Sequence, residues 1–420
     1  MSKLLAVVSC PLDTYSGYGA RARDFVKALV ELDKYNVKVL SQRWGNTRFG
    51  YLADHKEDSL RSLIVDKIEG QPDIWIQITV PNEFQKIGKY SIGVTAGIES
   101  TICDASWIEG CNRMDLVITS SKHSKDTFIN TVYNRTDSKT NQPIQDLKVT
   151  TPIEILLEGA DLNKYFVTKN NPKSSIVKSL DTIKESFCYL VVGHWMQGDL
   201  GQDRKNIGYT IKSFLETFKN QTDQPALILK THQATTSLMD QKRILDKIDT
   251  IRKSCKGKLP NVYIIHGEVS DEEMNELYNH PKVKAFVSHT KGEGFGRPLL
   301  EFSLVNKPII ASGWSAQLDF LQRDFVGLVG GTLTKIHPSA AVKNVLLEEA
   351  SWFTPNDAEV FSAYKTIKKD YKKFLTLAKR QGHFSRTNFS YEKMVDLLGT
   401  ILESNVPNLP VQIPLNLPKL

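Results

Sequence analysis

The chain has 420 residues, 40% of them apolar and 24% charged; at about 100–200 residues per domain, that length predicts two or three domains, each with its own core. No run approaches the roughly eighteen consecutive apolar residues of a membrane-spanning helix, and the apolar share excludes disorder over most of the chain. The formal net charge is +7, from 54 basic and 47 acidic residues, a mild surplus that fits an anionic ligand without demanding nucleic acid.

The opening MSKLLAVVSC has one lysine and a short apolar run. The run stops at Pro11 and Asp13 with no small-residue cleavage site, so it reads as a buried first strand of a cytosolic protein rather than a secretory leader. Strands are expected at Leu4–Ser9, Val37–Leu40, Ile74–Ile78, Ile92–Thr95, Leu116–Thr119 and Ile153–Leu157. Helices are expected at Ala20–Leu32, where Phe25, Leu29 and Leu32 share a face, and at Lys122–Val132 after the Ser120-Ser121 cap. The polar stretch Val167–Ser186, rich in Lys, Ser and Asn and containing Pro172, reads as a linker or hinge.

The same rhythm then restarts, with strands at Tyr189–Val192, Ala226–Leu229, Val262–Ile265, Ala285–Ser288 and Pro308–Ala311. Helices fall between them, near Ile207–Phe218, Leu238–Arg252, Glu272–Tyr278 and Pro298–Val305. Two blocks of strand–helix alternation imply an α/β protein of two Rossmann-like domains, with parallel sheets facing across a cleft. The expected division is residues 1–170 for the first domain, 171–187 for the linker and 188–388 for the second. Residues 389–405 would form a helix crossing back to the first domain, and 406–420 a Pro-rich extended tail. Charges balance over the first 165 residues, so the basic surplus lies in the second half, partly on a helical stretch Lys365–Arg380 read as a solvated face.

The segment AFVSHTKGEGFGRPLLEFSLVNKPIIAS, Ala285 to Ser312, is the most informative. A buried strand leads into a loop with Gly292, Gly294 and Gly296, and a helix then opens with Pro298 in its first turn, where the missing N–H costs little. Such a turn offers close backbone approach and unpaired N–H groups to a diphosphate. Glu293 and Glu301 would bracket that anion and accept hydrogen bonds from sugar hydroxyls, one from a hexose and the other from a ribose.

This segment resembles the Glu-x7-Glu signature of retaining glycosyltransferases of the two-domain GT-B fold, especially family 4. EGADLNKYF, Glu158 to Phe166, is similar to that family's Asn-Gly-Val-Asp turn, with Glu158 in place of the Asn. DLVITSSKHSKDTF, Asp115 to Phe128, resembles the strand–Ser–helix unit preceding that turn, and HGEVSDEEMNELY, which contains Glu268, the segment that holds the nucleotide base. GEGFGRPLLEF together with GHWMQGDLGQDRKN also resembles glycosyltransferases of large tailed bacteriophages.

The resemblance implies a nucleoside diphosphate sugar as donor, a hydroxyl acceptor and no separate cofactor. It places Lys205 on the donor phosphates, with His194 where an arginine is usual and Arg204 supplying the lost charge. Lys230, ending the strand in LILKTH, is a further phosphate candidate. Gly294, Phe295 and Gly296 would form the cradle, and Gly17 and Gly19, in TYSGYGAR, match the family's first-domain glycine loop. Acceptor-side candidates are Glu83 and Glu99, both just beyond expected strands.

Other chemistries find less support. There is no Asp-x-Asp, no Gly-x-Ser-x-Gly, no His-Glu-x-x-His and no P-loop, and His266, His280 and His289 are not spaced as metal ligands, so no metal site is expected. The cysteines Cys10, Cys103, Cys111, Cys188 and Cys255 include no Cys-x-x-Cys pair. A glycoside hydrolase would use Glu293 and Glu301 as acid and nucleophile but leaves the basic groups and glycine loops without a role. Two alternatives stay open: a transferase acting on a hydroxymethylated DNA base, and a non-catalytic nucleotide-sugar binding protein.

Overall fold

The structure is a computed structural model, which describes residues 3–136, 143–233 and 236–410. The two blocks of alternation form two six-stranded sheets in which every strand pair is parallel. The first sheet contains β1 (Leu4–Cys10), β2 (Tyr35–Ser41), β3 (Ile74–Ile78), β4 (Tyr90–Val94), β5 (Leu116–Thr119) and β6 (Ile153–Ile155), in the order β2-β1-β3-β4-β5-β6. The second contains β7 (Cys188–Val192), β8 (Ala226–Lys230), β9 (Val262–Ile265), β10 (Val283–Ser288), β11 (Ile309–Ser312) and β12 (Gly327–Val329), in the order β9-β8-β7-β10-β11-β12. Strands such as LLAVVSC are apolar on both sides because helices cover both faces of a parallel sheet.

Strand order fixes where a ligand fits. In each sheet the chain works outward from its first strand in one direction and then in the other, so neighbouring crossovers diverge between β1 and β3 and between β7 and β10. Crevices open at the carboxyl ends of strands at such points. The loops there are 11–16 after β1, 193–206 after β7 and 289–296 after β10.

The last helix, Tyr391–Asn405, follows the second sheet in sequence but belongs to the first core. Its Met394, Val395, Leu398 and Leu402 pack with Phe25 and Leu29 of the helix Gly17–Glu31 and with the sheet residues Ala6, Val8 and Ile76. The return lies beside the outward crossing: the Ala160 amide donates to the Phe389 carbonyl, and the Tyr391 amide donates to the Ala160 carbonyl. Gly159 permits this contact, since a Cβ there would sit 2.6 Å from the Ser390 carbonyl oxygen.

Two expectations need correction. The stretch 171–187 is not a bare linker but holds the helix Ser175–Asp181, whose Ile176, Val177 and Leu180 are buried with Ile183 in the second core. Four apolar residues among lysines and serines were masked by the polar average. The lysine-rich stretch Lys365–Arg380 is two helices, Asp357–Lys369 and Tyr371–Asn388, interrupted at Asp370. No helix among the described residues is long and apolar enough to cross a membrane, and the five cysteines are free and buried.

Candidate functional site

The loops after β7 and β10 bring three expected residues into one cluster. Lys205 Nζ donates to both carboxylate oxygens of Glu293, at 2.7 and 2.8 Å. The Arg204 guanidinium donates to the Gly292 carbonyl at 3.0 Å and stands 3.5 Å from Glu293. Across the domain boundary, Glu99 lies 3.6 Å from the same guanidinium. Burial pushes the Glu293 pKa up, but Lys205 and Arg204 outweigh it and hold the carboxyl below its ordinary range. The Glu293 amide donates to Ser315 Oγ at 3.0 Å, which fixes the loop that presents it.

The adjoining glycines meet the first domain. A Cβ on Gly292 would lie 1.9 Å from the Glu99 carbonyl oxygen, and one on Gly294 2.3 Å from that of Ala96. Ser120 Oγ lies between the Ala96 and Gly294 carbonyl oxygens, 2.6 and 2.8 Å away, and its single proton bridges the seam. First-domain backbone therefore packs against one face of the expected cradle at Gly294. The Phe295 side chain is buried, 3% exposed, and packs on Phe320 in the second core, so only its backbone is left for the expected cradle. Gly296 supplies the left-handed turn, φ 103°, from which the helix Arg297–Ser303 starts.

Glu301 has its own cation. Arg297 Nε lies 3.7 Å from it, and Tyr278 Oη donates to it at 3.4 Å. Burial raises the Glu301 pKa to about 7, with Arg297 opposing and Asp271 adding to the rise. Arg297 also reaches across the boundary to Asp24, on the helix Gly17–Glu31, and to Glu158, 3.1 Å away. The turn that was expected to bind an anion is thus flanked by a guanidinium shared among three carboxylates. The spacing of Arg297 and Glu301, one helical turn apart, signals their pairing; nothing in the sequence signals Asp24.

Two adjoining cavities run between the domains, sharing Tyr15, Tyr51 and Asp271. One, of about 680 Å³, is lined by Glu301, Arg297, Asp24, Lys27 and Lys164. The other, of about 700 Å³, is lined by Lys230, His232, Gly267 and Glu268. Lys230 Nζ donates to the Gly267 carbonyl at 2.7 Å, and burial lowers its pKa to about 8 against the pull of Glu268. Glu268 itself pairs with Arg48 of the first domain. His194 lies against His232, ring centroids 4.2 Å apart. Desolvation, then His232, Lys205, Arg204 and Lys230, lower the His194 pKa, so the ring is neutral within a group of cations.

Gly17 and Gly19 open the 15-residue helix Gly17–Glu31, capped by Ser16, whose Oγ accepts from the Gly19 amide. A Cβ on Gly19 would lie 2.3 Å from the Thr14 carbonyl oxygen, whereas Gly17 has open space around it. Glu83 is apart from the cluster. It accepts from Thr79 Oγ1 and lines a separate cavity of about 290 Å³ with Arg43, Trp44 and Gln77.

No protein-family model matches the chain, and no curated protein matches it in sequence. Solved structures do match it along nearly its whole length. A glycosyltransferase from Rickettsia africae ESF-5 superposes with a TM-score of 0.63 at 12% identity, covering 97% of this chain and 100% of that one. Sucrose-phosphate synthase from Thermosynechococcus elongatus gives 0.60 at 12%, covering 96% and 98%. Alr3699/HepE of Anabaena, solved with UDP-glucose, gives 0.59 at 15%, covering 96% and 100%. Likeness at these identities shows the fold, a two-domain GT-B architecture.

Proposed function

We propose that the chain moves a sugar from a nucleoside diphosphate sugar to a hydroxyl acceptor, with retention of anomeric configuration. The observation that carries this reading is the cluster of buried Glu293 with half-buried Lys205 and Arg204 at the switch point of the second sheet. Support comes from the fold shared with structures such as the UDP-glucose complex of the Anabaena protein.

Bond breaking between the sugar's anomeric carbon and the diphosphate leaves its electron pair, and so its charge, on the departing phosphate oxygen. Lys205, Arg204 and Lys230 are the cations that compensate it, already fixed before the charge develops. The acceptor oxygen bonds to the same face of the anomeric carbon, and its proton passes to a leaving-phosphate oxygen, so no protein nucleophile is needed. Donor arrival draws Lys205 toward phosphate and frees Glu293 to accept hydrogen bonds from sugar hydroxyls. Glu301 accepts from the ribose, and the segment around Glu268 bounds the base. The seam at Gly292 and Gly294 keeps water from the activated donor.

The test is incubation of the protein with a panel of nucleoside diphosphate sugars, following diphosphate release with and without hydroxyl acceptors. Release that disappears in Glu293→Gln supports the reading. Binding of nucleotide sugar with neither hydrolysis nor transfer would reduce the protein to a carrier.

A further inference from the structure

A further cavity, of about 490 Å³, opens in the second domain and shares no lining residue with the two cleft cavities. Its buried wall is Lys291, a side chain 3% exposed. Lys291 Nζ makes one long hydrogen bond, 3.5 Å to Thr354 Oγ1, and stands 5.2 Å from the centre of the Trp352 ring. Burial lowers its pKa to about 8, with Asp203 opposing, so the ammonium form prevails at neutral pH. Among the described residues no carboxylate forms an ion pair with this ammonium; a buried, unpaired ammonium is costly, and an anion entering the cavity would remove that cost.

The rest of the lining suits such a ligand. Lys335 and His337 stand at the rim, and Thr354 offers a hydroxyl. Asp357 is the acidic residue of the lining, and Tyr209 Oη donates to it at 2.6 Å. Asn206, also in the wall, is 1% exposed and its Oδ1 has no hydrogen-bond partner among the described residues, leaving an acceptor for a ligand hydroxyl. Lys291 is pinned by its backbone: its amide donates to the Arg204 carbonyl at 2.8 Å, and its carbonyl accepts from the Phe353 amide at 2.9 Å.

We propose that this cavity binds a phosphate group, free or carried on a sugar, with Lys291 as its buried cation and Lys335 and His337 at its mouth. A compact ammonium is a suitable point charge for phosphate. This site is independent of the sugar-transfer reading.

The experiment is calorimetric titration of the full chain with inorganic phosphate and with glucose 6-phosphate, at ionic strength matched with sodium chloride. Saturable binding is expected, weakened about tenfold or more in Lys291→Gln, the worth of one charge-assisted hydrogen bond, and kept in the cleft variant Lys230→Gln. Tighter binding of glucose 6-phosphate identifies a sugar ester as the ligand, and equal binding identifies free phosphate. If Lys291→Gln does not fold, the rim double variant Lys335→Gln/His337→Gln decides, with weaker binding expected there. The proposal is overturned by no binding of either anion, by unchanged binding in the variant that decides, or by binding lost in Lys230→Gln and kept in Lys291→Gln.

Discussion

Lys205 Nζ and the Glu293 carboxylate bind each other through both oxygens, at 2.7 and 2.8 Å, with Glu293 only 5% exposed. Each is the other's counter-charge. Removing the amine strands a carboxylate in the interior, which typically costs 3–5 kcal/mol; with Arg204 still 3.5 Å away, Lys205→Ala should cost about 3 kcal/mol. Chemical unfolding measures this, and Lys205→Ala/Glu293→Gln should recover part of it. Because the Glu293 pKa is depressed, this contribution is present above its unfolded value and disappears as pH falls through the folded one.

Glu293→Gln keeps the shape of the side chain but removes its charge. Transfer should fall about hundredfold or more if the carboxylate stabilises the reacting sugar. Affinity for the free nucleoside diphosphate should stay within about threefold, less than one hydrogen bond's worth. Full activity in this variant would remove Glu293 from the chemistry.

Gly294→Ala places a methyl 2.3 Å from the Ala96 carbonyl oxygen, a rigid neighbour. The expected result is two folded domains that no longer seat. Small-angle scattering should show a larger radius of gyration and the transfer activity should fall, with the far-ultraviolet circular dichroism unchanged. An unaltered scattering profile would show that the seam tolerates a side chain.

Glu301 carries the pH dependence. With its folded pKa raised to about 7 from an ordinary 4.5, the folded state holds a proton that the unfolded state releases. Stability should therefore decline between about pH 4.5 and 7, by up to roughly 3 kcal/mol from this group at 1.36 kcal/mol per unit. Glu301→Gln should flatten that slope in unfolding curves recorded from pH 5 to 8. In the wild type, nucleotide affinity should rise across pH 7 as the carboxylate becomes a stronger acceptor for ribose hydroxyls.

The sequence revealed these groups unevenly, for physical reasons. Glu293 was legible because a buried strand, a glycine loop and a helix start surround it, while Arg204 and Lys205 were legible through the family resemblance; all three follow β7 or β10, where residues at strand ends converge as two neighbouring crossovers part. The continuous apolar runs of strands such as LLAVVSC and CYLVV likewise announced the sheets. Contacts made only by the meeting of the two domains left no such mark. Arg48 and Glu268 pair across 220 positions, and Arg297 meets Asp24 across 273, with no period or spacing to betray them. The glycine loop was read as a ligand cradle because glycine signals close approach without naming what approaches; at Gly292 and Gly294 it is another stretch of backbone.

The side-by-side crossings at Ala160 and Phe389–Tyr391 have a consequence for dissecting the molecule. A fragment cut near residue 170 would lack Met394, Leu398 and Leu402, leaving an oily trough along the helix Gly17–Glu31. Such a half-molecule should aggregate alone and be rescued by the terminal helix added as a separate peptide, or grafted on by circular permutation.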